Sequence, residues 1–184
     1  MSRARKLALG VLALALSLTG LWREPPQSAG RFLGPVASLA ASVEWVRMQL
    51  ALDAGRTDLA YERAEHALAL DPGATDGWSF FAAHLVFDRG SRAAELDPAR
   101  RWAWVRRGLD LLERGERTAR EPARLVLYRG AVHVSLAETG GSPERSAEEH
   151  RARAQELFAR AGEMGLDIGA ELAESLEHDH EHHQ

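Results

Sequence analysis

Four of the eight histidines fall at the very end of the chain, in Glu177-His-Asp-His-Glu-His-His-Gln184. Neutral imidazoles at His178, His180, His182 and His183, interleaved with carboxylates, can chelate zinc, nickel or copper once the rings are deprotonated. Read as a flexible tail over residues 177–184, this is a weak and opportunistic metal site. The remaining histidines, His66, His84, His133 and His150, stand on separate helical segments without a pairing motif and are read as packing or surface residues. Cysteine is absent, which removes disulfides, thiol nucleophiles and thiolate metal ligands. No glycine-rich phosphate loop, nucleophile elbow, helical zinc-protease motif or carboxylate dyad occurs. The sequence therefore offers no catalytic residue and no resident cofactor, and the reading is of a protein that is not an enzyme.

Tryptophan and arginine are the other residue types able to carry recognition. Trp78 and Trp102 each begin an apolar helical stripe, the latter continuing through Val105, Leu109 and Leu112, so both are expected in the core. Trp45 and Trp104 lie one residue off their stripes and face either a groove or the next pair of helices. Arg100, Arg101, Arg106, Arg107, Arg114, Arg117, Arg120 and Arg124 make the middle of the chain basic. Asp110, Glu113, Glu116 and Glu121 are interleaved with them, which predicts a solvated face with local ion pairs. With a net charge of −4 there is no global basic field, and nucleic acid is not expected as a partner.

The elements that position these residues are helical. Alanine, leucine, arginine and glutamate dominate, and strand-like alternation is scarce. In Leu59 to Leu70 the residues Ala60, Ala64, Ala67 and Leu68 share one stripe, thin enough for another helix to approach closely. Asp71-Pro72-Gly73 ends that helix, since proline lacks an amide hydrogen and disfavours helical geometry before it. The next begins with Thr75 or Asp76 as cap and buries Trp78, Phe81, Ala82 and Leu85. Helices are expected over Val36–Ala54, Thr57–Leu70, Asp76–Asp88, Pro98–Arg114, Pro122–Glu138 and Pro143–Met164, with a short capping helix over Gly169–Leu176. Asp97-Pro98 and Ser142-Pro143 each place a capping side chain before a first-turn proline.

At the N-terminus, Arg3, Arg5 and Lys6 precede an uncharged apolar run over residues 7–22. As a helix it spans ~24 Å, against ~30 Å of hydrocarbon, and can cross a bilayer with some snorkelling or thinning. Trp22 beside Arg23 suits an interfacial anchor. On this reading residues 1–23 are a single-pass anchor in a bacterial cytoplasmic membrane, with the N-terminus inside and the remainder extracytoplasmic. The rival is a signal peptide cut after Gly30, which leaves a secreted or periplasmic protein. Residues 24–35, with Pro25-Pro26, form a linker; the helical domain covers 36–176.

The series Ala60, Ala64, Ala67, Pro72, Trp78 and Ala82 resembles two joined halves of a tetratricopeptide (TPR) unit. Trp45 and Gly55 match the aromatic-bearing first helix and the glycine between helices. Gly130 in Leu127-Tyr-Arg-Gly-Ala131 resembles the small position of a later first helix, and Ala154, Phe158 and Ala161 the pattern of a second helix. Met48, where the family prefers a small residue, the late position of Trp45 and an insertion from Asp88 to Pro98 depart from the pattern. The blocks Phe32-Leu-Gly34, Glu44-Trp-Val-Arg47, Trp78-Ser-Phe80 and Arg101 to Leu109 are similar to bacterial TPR-like proteins that carry one N-terminal membrane segment, a group with no assigned reaction.

The resemblance implies an all-α fold, a TPR-like right-handed stack of about three antiparallel helical hairpins preceded by an N-terminal hydrophobic helix. It also implies an inner groove formed by the first helix of each hairpin, with Ser42, Trp45, Gln49, Ser79, Ala83, Arg124 and Leu127 as the residues facing it. The lysines and asparagines of a carboxylate clamp are missing, so this groove is mixed and partly apolar. The expected function is a membrane-tethered scaffold that binds a protein partner in an envelope assembly. The alternative is an envelope metal-binding or metal-buffering protein that uses the histidine tail. Whether the chain takes a small-molecule ligand is left open.

Overall fold

The structure, a computed structural model, describes residues 35–181. The apolar run 7–22, the linker up to residue 34, and His182 and His183 lie outside the described residues. Seven α-helices and one π-helical segment follow one another without a strand among the described residues: α1 (Pro35–Asp53), α2 (Thr57–Leu70), α3 (Thr75–Ala83), the π segment (His84–Arg89), α4 (Pro98–Glu116), α5 (Pro122–Glu138), α6 (Ala147–Glu163) and α7 (Asp167–Glu181). The described residues are therefore all-α, as the composition predicts. No helix among the described residues is long and apolar enough to cross a membrane.

Consecutive helices pack on one another, and α3 also reaches α5. The turn from α1 to α2 shows why that is possible over so few residues. Gly55 adopts φ +71°, a left-handed conformation that side chains disfavour. The following amide of Arg56 then reaches back to the Ala51 carbonyl at 2.8 Å, which closes the helix end and reverses the chain. Across the pair, Ala60, Ala64 and Ala67 are buried, with Met48 and Ala51 buried on the facing helix. Glu44 accepts from Arg47 at 2.7 Å and from Arg63 on α2 at 3.2 Å. Beyond the Asp71-Pro72-Gly73 break, Trp78 is buried and its indole N–H donates to the Pro72 carbonyl at 2.8 Å.

The main core runs from Met48 and Tyr61 through Phe81, Leu85, Leu111 and Leu112 to Leu125 and Val132, and a smaller cluster joins Val126, Leu157 and Ala161. Gly130 on α5 lies directly beneath Phe158 on α6, where a Cβ would overlap the ring. Gly130→Ala is accordingly expected to cost about 1–3 kcal/mol by overpacking. Urea unfolding should show this, and Phe158→Leu in the same chain should recover part of it.

Several boundaries differ from expectation. The helix expected over Asp76–Asp88 is α-helical only to Ala83 and then changes to the wider π register, which a 3.6-residue periodicity does not register. Neither Thr75 nor Asp76 caps α3: Ala74 holds the cap position without a side-chain bond, and the Thr75 hydroxyl instead accepts from the Glu121 amide at 3.2 Å. Asp97 caps α4 as expected, accepting from Ala99 at 2.9 Å. Ser142 does not start α6. That helix begins after Ser146, which forms a capping box with Glu149 (2.7 and 3.1 Å), satisfying two amides at once. Finally, α7 continues past Leu176 to Glu181.

Candidate functional site

The seven residues expected to face a groove lie on α1, α3 and α5. Trp45 turns toward α3: its ring meets Phe80 edge-to-face at 5.7 Å and covers Gly77. Of its two readings, contact with the next pair of helices is the one observed. Asp76 on α3 accepts from Arg124 on α5 at 3.0 Å, and Arg124 also holds Glu121 at 2.7 Å. Ser42 and Gln49 are exposed and bond within α1, to the Ser38 carbonyl at 2.9 Å and to Asp53 at 3.1 Å. Ser79 and Ala83 are half-buried on α3, with the Ser79 hydroxyl donating to the Asp76 carbonyl at 3.1 Å. Leu127 packs against the smaller cluster. Trp104 faces backward, its ring against Tyr61 on α2 at 5.7 Å with Arg89 5.2 Å from its centre. Burial raises the Tyr61 phenol above its ordinary value, while Arg89 and Arg107 pull the other way.

The outer face of α1 carries a feature absent from the sequence reading. Val36, Leu39, Val43, Val46 and Leu50 are all between 44% and 67% exposed. At ~100° per residue they fall within about 80° of arc. Ala37, Ala41, Glu44, Met48 and Ala51 are buried on the far side of the same helix. α1 is thus apolar on both faces and covered on one, an arrangement a lone surface helix does not need. The spacing of the five residues was available in the sequence.

A second unpredicted feature is polar and buried. His133 on α5 and His150 on α6 meet at Nδ1···Nδ1 2.8 Å, and His150 Nε2 lies 2.9 Å from the Ser142 hydroxyl. These histidines are a pair, contrary to the reading of them as unrelated residues; seventeen residues apart, they have no spacing that could have shown it. Burial lowers the His133 imidazole to about 4, with His150, Arg145, Arg129 and Arg153 adding to the effect. Burial likewise lowers His150, reinforced by Arg145 and opposed by Glu149. Neutral rings satisfy the chain, each supplying one donor and one acceptor. The Ser142 oxygen already accepts from the Arg145 amide at 3.1 Å, so its hydroxyl closes the turn before α6.

Two clefts flank Trp102 on the α4–α6 side. One, of about 570 Å³, is lined by Arg106, Arg129, His133, Arg145 and Arg153 together with Asp110, Glu113, Glu144, Glu149 and Glu156. Its charges largely answer one another, as Arg106–Glu144 at 2.8 Å shows. The other, of about 410 Å³, lies among Phe87, Val105, Leu136 and Ser142. None of the seven expected groove residues lines either cleft. The basic middle of the chain makes local ion pairs as expected at Arg117–Glu113 (3.4 Å) and Arg124–Glu121 (2.7 Å), and also unforeseen long-range ones, Arg114 on Glu65 at 3.0 Å and Arg120 on Asp71 at 2.8 Å.

Of the four tail histidines, His178 is exposed, with Nδ1 3.0 Å from the Glu174 carbonyl one turn back. His180 belongs to α7. No group of three or more metal-ligating side chains occurs among the described residues. No protein-family model, curated protein or solved structure matches the chain.

Proposed function

We propose that this chain is a membrane-tethered, TPR-like interaction module that binds a protein partner and works by positioning it, with no reaction of its own. The observation that carries the reading is the open apolar face of α1. Five aliphatic side chains in one line, each about half or more exposed, have a hydrophobic cost in water that a docked protein surface removes. The neighbouring order supports it. α1, α3 and α5 touch in sequence through Trp45–Phe80 and Asp76–Arg124, the relation expected of first helices in a right-handed stack of hairpins. Ser42 and Gln49 extend the same surface toward α3. The apolar run 7–22, just upstream, provides the tether and places the module on the extracytoplasmic side.

The test is a photoreactive amino acid placed at Val46 in the full-length protein in its own membrane, with Glu62 on the exposed side of α2 as control. A discrete protein adduct is expected from Val46 and none from Glu62. If positions along the whole α1 stripe give no adduct, this reading fails.

A further inference from the structure

The spacing of the open face specifies what covers it. Val36, Leu39, Val43, Val46 and Leu50 recur at intervals of three and four residues, a 3.5-residue period, at which the seam of one helix meets another helix along its length. The covered face of α1 has the same rhythm in Ala37, Ala41, Glu44, Met48 and Ala51, and there the structure fills it with neighbouring helices. α1 therefore bears two helix-packing seams, one of them open. At ~1.5 Å per residue the open seam is about 21 Å long.

The flanks of the seam favour a copy of itself. Ala40 and Arg47 line one edge and Ser42 and Gln49 the other. Arg47 is the one charge among them, and it is held by Glu44 at 2.7 Å. Across a parallel pair, Ser42 comes opposite the second copy's Arg47, so no like charges meet between Val36 and Leu50; the position that would continue the seam is Asp53, the last residue of α1, which accepts from Gln49 at 3.1 Å. Val36 and Val43 at one seam position and Leu39 at the other follow the pattern of two-stranded parallel pairs, while Leu50 and Val46 invert it. The upstream run does not fit as the cover. Its leucines fall on two opposite sides of a helical wheel, with alanine, valine and glycine between them and no charge, so the run is apolar all round, which suits lipid rather than a single seam.

We infer that the open face of α1 is a parallel homodimer seam, in which two copies pair through Val36, Leu39, Val43, Val46 and Leu50. This rests on the reading of that face as a docking surface and names its occupant. α1 is already held by α2, so pairing orders no new backbone. Tethering in one bilayer raises the effective concentration of the second copy and brings both N-terminal ends together.

The absence of cysteine makes the test direct. The full chain in detergent micelles is expected to sediment as a dimer, and Val36→Cys should form an intermolecular disulfide on oxidation while Glu62→Cys does not. Leu39→Glu with Val46→Glu should reduce that cross-link at least tenfold and leave the helical circular dichroism unchanged, since both side chains are exposed. Cross-linking of Val36→Cys only to Leu50→Cys, in mixed samples, overturns the parallel seam. A monomer that forms no Val36→Cys disulfide overturns self-pairing. In that case a protein adduct from the Val46 photoprobe leaves the docking surface standing with a different occupant, and no adduct removes both.

Discussion

Glu116→Ala is expected to destabilise the protein by about 3–5 kcal/mol, the cost of stranding a buried charge. Glu116 is the last residue of α4, and its side chain is only 7% exposed. It accepts from Arg129 on α5 at 2.6 Å and from Arg160 on α6 at 3.1 Å, and so joins three helices at one carboxylate. The Arg129 side chain is 10% exposed and has one further carboxylate, Glu113, at 3.8 Å. Without Glu116 its guanidinium is left poorly paired in a low-dielectric setting. Arg160, 48% exposed, rehydrates on its own, so Arg160→Ala should cost under about 1 kcal/mol. Replacing Glu116 by leucine and Arg129 by methionine together should restore much of the loss, because the desolvation of both charges disappears with them. Urea midpoints of the four proteins measure this. A Glu116→Ala chain within about 1 kcal/mol of the parent would show that Arg129 reaches water, and that the network is not buried as described.

What could be read from the sequence was what is local. Ala60, Ala64, Ala67 and Leu68 form a stripe because helical periodicity alone puts them on one side, and they are buried together. Asp97-Pro98 caps α4 because the carboxylate and the proline each act within a turn. Ser142-Pro143 has the same local form, and the Ser142 hydroxyl accepts from the Glu144 and Arg145 amides, yet it closes only a turn; the reciprocal capping box of Ser146 and Glu149 four residues on takes the helix start. The features bearing on function required tertiary information or a different question. His133 and His150 meet only because α5 and α6 pack on each other. Arg129 gives no sign in sequence that it is buried while its neighbours in the basic stretch are solvated. The α1 seam is periodic and was legible, but only burial of the opposite face shows that it is surplus to the core. Among the groove residues, half-buried Trp45 touches Phe80 and Gly77 on α3, a contact across helices that its own spacing does not specify, while Ser42 and Gln49 lie at the surface.

The buried histidine pair makes stability depend on pH from about 6.5 downward, a fall that begins well above the range where ordinary carboxylates titrate. His133 is held neutral at about 4 in the folded chain, against an ordinary value of about 6.5 when unfolded. Between those values the unfolded chain binds more protons, so stability rises with pH. The contribution is fully present above pH ~7, declines as pH falls below about 6.5, and is gone once the folded-state value near 4 is passed. At about 1.4 kcal/mol per pKa unit the whole span is worth about 3 kcal/mol, of which about 2 is lost by pH 5. His150, lowered in the same direction, adds to the slope. Glu149, lowered by its bonds to the Ser146 amide and hydroxyl, contributes only at more acid pH and leaves the range from 7.5 to 5 to the histidines. The first physical cause is burial of both rings, reinforced by Arg145; with Nδ1 atoms 2.8 Å apart, two imidazolium rings would in addition oppose donor to donor. Urea midpoints taken from pH 7.5 to 5 should fall steeply for the parent and much less for a His133→Gln, His150→Gln chain. Equal slopes in the two would mean that the pair opens to water before it protonates, and that α5 and α6 are not locked by it.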